Sequence, residues 1–115
     1  MSYAFDIAKT ISIGSFLAYG LACLFSTHMV AEFERFGLSG YRRLTGAFEV
    51  AGALGLLVGT VFPSILVAAS GGLSLLMAIG VGVRLYVGDS FTQTLPALLF
   101  LGLNTFILNG ALKAV

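Results

Sequence analysis

Residues 44–83 read LTGAFEVAGALGLLVGTVFPSILVAASGGLSLLMAIGVGV, and Glu49 is the one charged residue in the run. Pro63 divides it. Proline suits the first turn of a helix, so the run predicts two helices, about residues 41–61 and 63–87. Each has about the 20 residues needed to cross a hydrocarbon core. The connection between them is short and uncharged, which makes them antiparallel neighbours. A carboxylate in such surroundings must find a partner, line a wet cavity or take up a proton, because a bare charge in hydrocarbon is costly.

Upstream, an apolar stretch runs from about Ile7 to Val30 and carries no charge between Thr10 and Thr27. Asp6 precedes Lys9 and the apolar stretch is long, so it reads as a retained first span and not as a cleaved signal. It leads into the polar segment Glu32–Arg43, where two glycines and a serine predict a surface loop. Downstream, Gly88-Asp89 forms a turn, and Ser90-Phe91-Thr92-Gln93 fits a capping box that opens a fourth span, about residues 91–112. Pro96 falls within the first two turns of that span, where a helix tolerates it. No ten-residue alternation of the kind a membrane barrel needs is visible. The expected fold is all-α: one integral membrane domain, a four-helix bundle with both termini on the same side.

Composition agrees. The 115 residues are 58% hydrophobic and 10% charged, with a mean hydropathy of +1.03. An average soluble domain carries roughly 25% charge, and a small soluble fold leaves much of its surface exposed. The net charge of +1 and the scattered basic residues give no nucleic-acid footprint. The single cysteine, Cys23, excludes an internal disulfide and a thiolate cluster, and reads as a packing residue. Four spans put Arg35, Arg42, Arg43 and Arg84 on one side, and Lys9 and Lys113 on the other. The excess predicts cytoplasmic loops after spans one and three in a cell (inner) membrane.

Along span two, Ala47, Ala51, Gly55 and Gly59 recur every four residues and form a small-residue stripe that admits another helix. At 100° per residue Glu49 lies on a different face, with Thr45, Gly52, Ala53 and Leu56. Val50, Leu54, Leu57 and Val61 fill the remaining, lipid-directed arc. The rise of 1.5 Å per residue puts Glu49 roughly 9 Å inward from Arg43, Arg84 roughly 7 Å inward from Asp89, and His28 roughly 6 Å inward from Glu32. Three ionisable groups from three spans thus share one depth, with Tyr19 deeper. In one reading Arg84 forks onto Glu49 and His28 completes a network that pins the bundle. In the other, Glu49, Arg84, His28 and Tyr19 line a pocket for a quinone or a polar lipid headgroup, where Glu or His handles a proton. One His and one deep Glu are too few for a metal site. Asn104 reads as an interhelical hydrogen-bonding group. No hydrolase, kinase, nucleotide or haem-attachment motif appears, and Gly80-Val81-Gly82 lies inside an apolar helix.

The segment Glu32-Phe33-Glu34-Arg35-Phe36-Gly37-Leu38 resembles the surface segment after the first span of the DoxX-like membrane proteins. Residues 45–59, with their glycines, acid and small residues, resemble that family's second span. Gly72-Leu73, Met77 and Leu95-Pro96-Ala97 agree with its third and fourth spans. The resemblance implies a four-helix integral membrane protein, usually bacterial, tied to quinol oxidation and to sulfur or thiol redox systems. Some relatives act as assembly factors. Glu49 matches the family's acidic position. Arg84 stands where another polar residue is common, so its pairing with Glu49 rests on depth alone. Two functions follow. One is an accessory component of a membrane oxidoreductase, with no built-in cofactor and a polar cluster for a quinone or lipid. The other is a structural or assembly subunit that packs against other membrane protein chains. No stand-alone catalytic motif supports an enzyme.

Overall fold

A computed structural model describes residues 3–114. The elements are α1 (Tyr3–Phe25), α2 (Thr27–Arg35), a 3-10 turn (Ser39–Tyr41), α3 (Arg42–Val58), α4 (Pro63–Tyr86) and α5 (Phe91–Ala114). The fold is all-α, with no strand among the described residues. Helices α1, α4 and α5, of 23, 24 and 24 residues, are long and apolar enough to cross a membrane. Helix α3 has 17 residues. It stops early because the chain turns through Gly59-Thr60-Val61, with the Thr60 hydroxyl donating to the Leu57 carbonyl at 2.8 Å, and Pro63 then opens α4.

The first apolar stretch is not one span. Its helix breaks at Ser26, which is extended at φ −85° and ψ 132°. Ser, Thr and His lie at the break, residue types with no strong hold on a helix interior. Arg42 consolidates the break by donating to the Cys23 and Leu24 carbonyls, at 2.5 and 3.0 Å, at the end of α1. The expected loop from Glu32 onward is also corrected, because α2 continues through Arg35. Phe33 is buried beneath it, and burial of that ring against the bundle holds the short helix down.

Two glycine turns shape the same end of the molecule. Gly37 and Gly88 have φ of +75° and +84°. Leu38 N–H bonds the Phe33 carbonyl at 2.8 Å, and Asp89 N–H bonds the Arg84 carbonyl at 2.9 Å. These are Schellman closures, and glycine supplies the left-handed residue they need. The capping box opens α5 as its spacing predicts: Ser90 N–H donates to Gln93 Oε1 at 2.9 Å, and Gln93 N–H to Ser90 Oγ at 3.2 Å.

Contacts run in a ring: α1 on α3, α3 on α4, α4 on α5, and α5 back on α1. The core is a column of Phe16, Ala53, Leu56, Leu66, Leu73 and Ile107, each 3% exposed or less. Asn104 crosses from α5, accepting from Ser12 Oγ at 3.0 Å and donating to the Phe100 carbonyl at 2.9 Å. Satisfying both halves of its amide makes a fully buried polar group tolerable.

Close approaches divide differently from the sequence stripe. Gly55 and Gly59 face α4, where an added methyl would lie 2.9 Å from Ala69 Cβ and 2.6 Å from Leu66 Cα. Ala47 and Ala51, from the other half of the stripe, are exposed. The tightest α1–α3 contact is at Gly20 and Gly46, where a methyl on Gly46 would lie 2.9 Å from the Gly20 carbonyl oxygen and from Cys23 Cβ. Val50, expected on the lipid side, packs against Gly20 there.

Candidate functional site

The helix ring and α2 line a partly open cavity of about 520 Å³ at the end of the molecule that carries the arginines. Its inner wall is apolar, from Phe16, Leu76, Met77 and Phe100. Phe16 and Tyr19 each meet the Phe100 ring edge-on, at 5.5 and 5.6 Å. Its outer rim is polar, with His28, Glu32, Arg84 and Gln93. All four residues picked out from the sequence, Glu49, Arg84, His28 and Tyr19, line this one cavity.

They are not wired together as expected. Glu49, 6% exposed, makes no ion pair among the described residues. Its polar neighbour is Cys23, whose Sγ lies 3.9 Å from Oε2. This corrects the Glu49–Arg84 pair, while Cys23 is a buried packing residue, as its sequence reading expects, whose Sγ also faces the carboxyl of Glu49. Arg84 turns instead to Asp89, donating from Nη1 to Oδ2 at 3.0 Å. The reason is local: the Schellman turn at Gly88 folds Asp89 back toward the last turn of α4, within reach of the guanidinium. His28 belongs to α2, with its side chain 76% exposed and Nε2 4.0 Å from Glu32 Oε1. It therefore caps nothing at Glu49.

The rim is a charge cluster built on Asp89. Arg35 donates to both Asp89 oxygens, at 2.5 and 3.2 Å, and to Glu32 at 2.6 Å. The guanidiniums of Arg35 and Arg84 both lie over the Phe36 ring, 4.8 and 5.1 Å from its centre. Planar, weakly hydrated guanidiniums suit this combined stacking and carboxylate binding. The Arg35 hydrogen bond, with a further contribution from Arg84, holds the Asp89 carboxyl below the usual range, against the opposing effect of burial. Sequence reading missed Asp89 as the hub. Its signal was present in the Arg84-to-Asp89 spacing across a glycine turn, whereas Arg35 reaches it only through the tertiary fold. No group of three or more His, Cys, Asp or Glu able to hold a metal occurs among the described residues.

A ring of apolar helices, three of them of membrane length, around a cavity with an apolar interior and a charged rim defines a multi-pass membrane protein. The chain belongs to the DoxX-like family, whose model matches residues 7–107. Neither a curated protein nor a solved structure matches it.

Proposed function

We propose that α1, α3, α4 and α5 cross the membrane as a four-helix bundle, with both termini on one side, and that the cavity receives the polar head of a quinone or a lipid. In this reading the protein is a non-catalytic accessory component of a membrane oxidoreductase system. Helix α3 spans roughly 26 Å at 1.5 Å per residue, a mismatch that local bilayer thinning accommodates. The observation that carries the ligand reading is the cavity itself. It joins an apolar interior to a rim of hydrogen-bonding groups, which is how small-molecule sites are built. Glu49 and Tyr19 supply polar atoms along its wall, and Glu49, free of a cation, is available to a ligand's carbonyl or hydroxyl.

The test is extraction in native lipid followed by mass spectrometry of bound small molecules. A quinone or a specific lipid is expected with the unaltered protein. It is expected to be lost when Met77→Trp fills the cavity and to be weakened by Glu49→Gln. Protein that carries the same lipid mixture as the surrounding membrane, unchanged by Met77→Trp, removes the ligand reading.

The second reading is an assembly subunit that holds other membrane protein chains. It is favoured by the exposed face of Ala47 and Ala51, which no helix of this chain covers. A lone chain in mild detergent with no co-purifying protein counts against it.

A further inference from the structure

Helix α2 forms one wall of the cavity through Met29, Glu32 and Phe33. Its backbone approaches α1, α3 and the 3-10 turn, but among the described residues no Cα of α2 comes within 8 Å of one in α4 or α5. Across the cavity mouth only side chains hold it. Arg35 bonds Asp89 in the α4–α5 turn, and Phe36 lies under the guanidiniums of Arg35 and Arg84. Both ends of α2 are points where the helical backbone is interrupted, Ser26 in an extended conformation and Gly37 at φ +75°. A short helix between two such breaks, fastened on its far side by ion pairs, has the parts of a hinged lid.

We infer that α2 is a lid over the cavity, latched by the Arg35–Asp89 ion pair, and that its opening admits solutes to the cavity wall at Cys23. The buried Phe33 ring seats the lid, while the partly exposed ion pair that latches it is a weak fastener, so the lid opens locally, well below the free energy of global unfolding. The inference does not depend on what the cavity binds, because the latch and the lid are defined by this chain alone.

Cys23 is the sole cysteine, lines the cavity and is 1% exposed, so it reports lid opening directly. The measurement is the rate of its modification by N-ethylmaleimide, followed by intact mass in detergent at fixed pH. Arg35→Gln is expected to raise the rate roughly fivefold, the population shift that loss of a weak ion pair produces. Molar sodium chloride should accelerate labelling of the unaltered protein in the same direction by screening the latch. A reporter away from the cavity, Ser70→Cys in a Cys23→Ser background, should label equally slowly with and without Arg35→Gln. Ser70 is fully buried and close in volume to cysteine. Unchanged Cys23 labelling in Arg35→Gln overturns the lid, and so does parallel acceleration at position 70, which would mean general loosening. Should Arg35→Gln fail to fold, Asp89→Asn and the salt series give the same readout, and flat rates in both overturn it equally.

Discussion

Glu49 has a thiol and not a guanidinium as its neighbour, and that changes what its removal should do. Removing one partner of a buried ion pair costs about 3–5 kcal/mol, because a charge is left behind. Glu49→Gln breaks no ion pair, so its unfolding free energy in detergent is expected to stay within about 1 kcal/mol of the unaltered protein. A fall of several kcal/mol would mean that an arginine had been paired with it after all. Asp89 is the opposite case. Its folded-state carboxyl is held low by Arg35 and Arg84. The stability it contributes is therefore fully present above the ordinary aspartate value of about 3.9. It is lost as pH falls through the depressed folded value. Melting curves taken down an acid series should show that loss in the unaltered protein and a flatter profile in Asp89→Asn. Identical acid limbs would show that Asp89 adds nothing to the fold.

At the scale of elements, glycine sets how close α1 and α3 come. A methyl on Gly20 would lie 3.0 Å from the Gly46 carbonyl oxygen and from Val50 N. Backbone cannot yield as a flexible side chain can. Gly46→Val should therefore force the helices apart and cost about 1–3 kcal/mol, the usual range for overpacking. Chemical unfolding in detergent micelles measures it. Gly102, where a methyl would meet nothing within 4 Å, is the control, and Gly102→Ala should be neutral or mildly stabilising through helix propensity. Equal effects at the two sites would remove the close-packing account. The expectation of a packing stripe on α3 was half legible. Gly55 and Gly59 meet α4, but Ala47 and Ala51 are exposed, because a four-residue step overshoots the helical turn of 3.6 residues, so the stripe drifts around α3 and its first half faces away from α4.

For the whole molecule, the proposed topology rests on the four proposed membrane crossings and on the arginines gathered at the cavity end. Phe5 near the start of α1 covers Gly110 near the end of α5, a contact in keeping with the proposal that both termini share one side. A reporter active only in the cytoplasm, fused to the C-terminus, is expected to be silent, while one inserted after Gly88 should be active. The reverse pattern would invert the assignment and place the cavity mouth on the outer face.

The sequence by itself determined the all-α class, three of the four expected membrane-length helices, the turns at Pro63 and Gly88, and the capping box at Ser90. Each depends on periodicity, hydropathy or short-range hydrogen bonding, which neighbouring residues carry without help from the rest of the chain. It also put Glu49, Arg84 and His28, which line the cavity, at a common depth, because helical rise converts residue number into depth. Tertiary structure decided who pairs with whom. Depth says nothing of rotation about each helix axis, and the fold gave Glu49 to Cys23 and Arg35 to Asp89, while the Gly88 turn closed Arg84 onto Asp89 locally. The break at Ser26 was likewise a tertiary outcome. Arg42, far along the chain, bonds the end of α1, and burial of Phe33 keeps α2 as a separate helix.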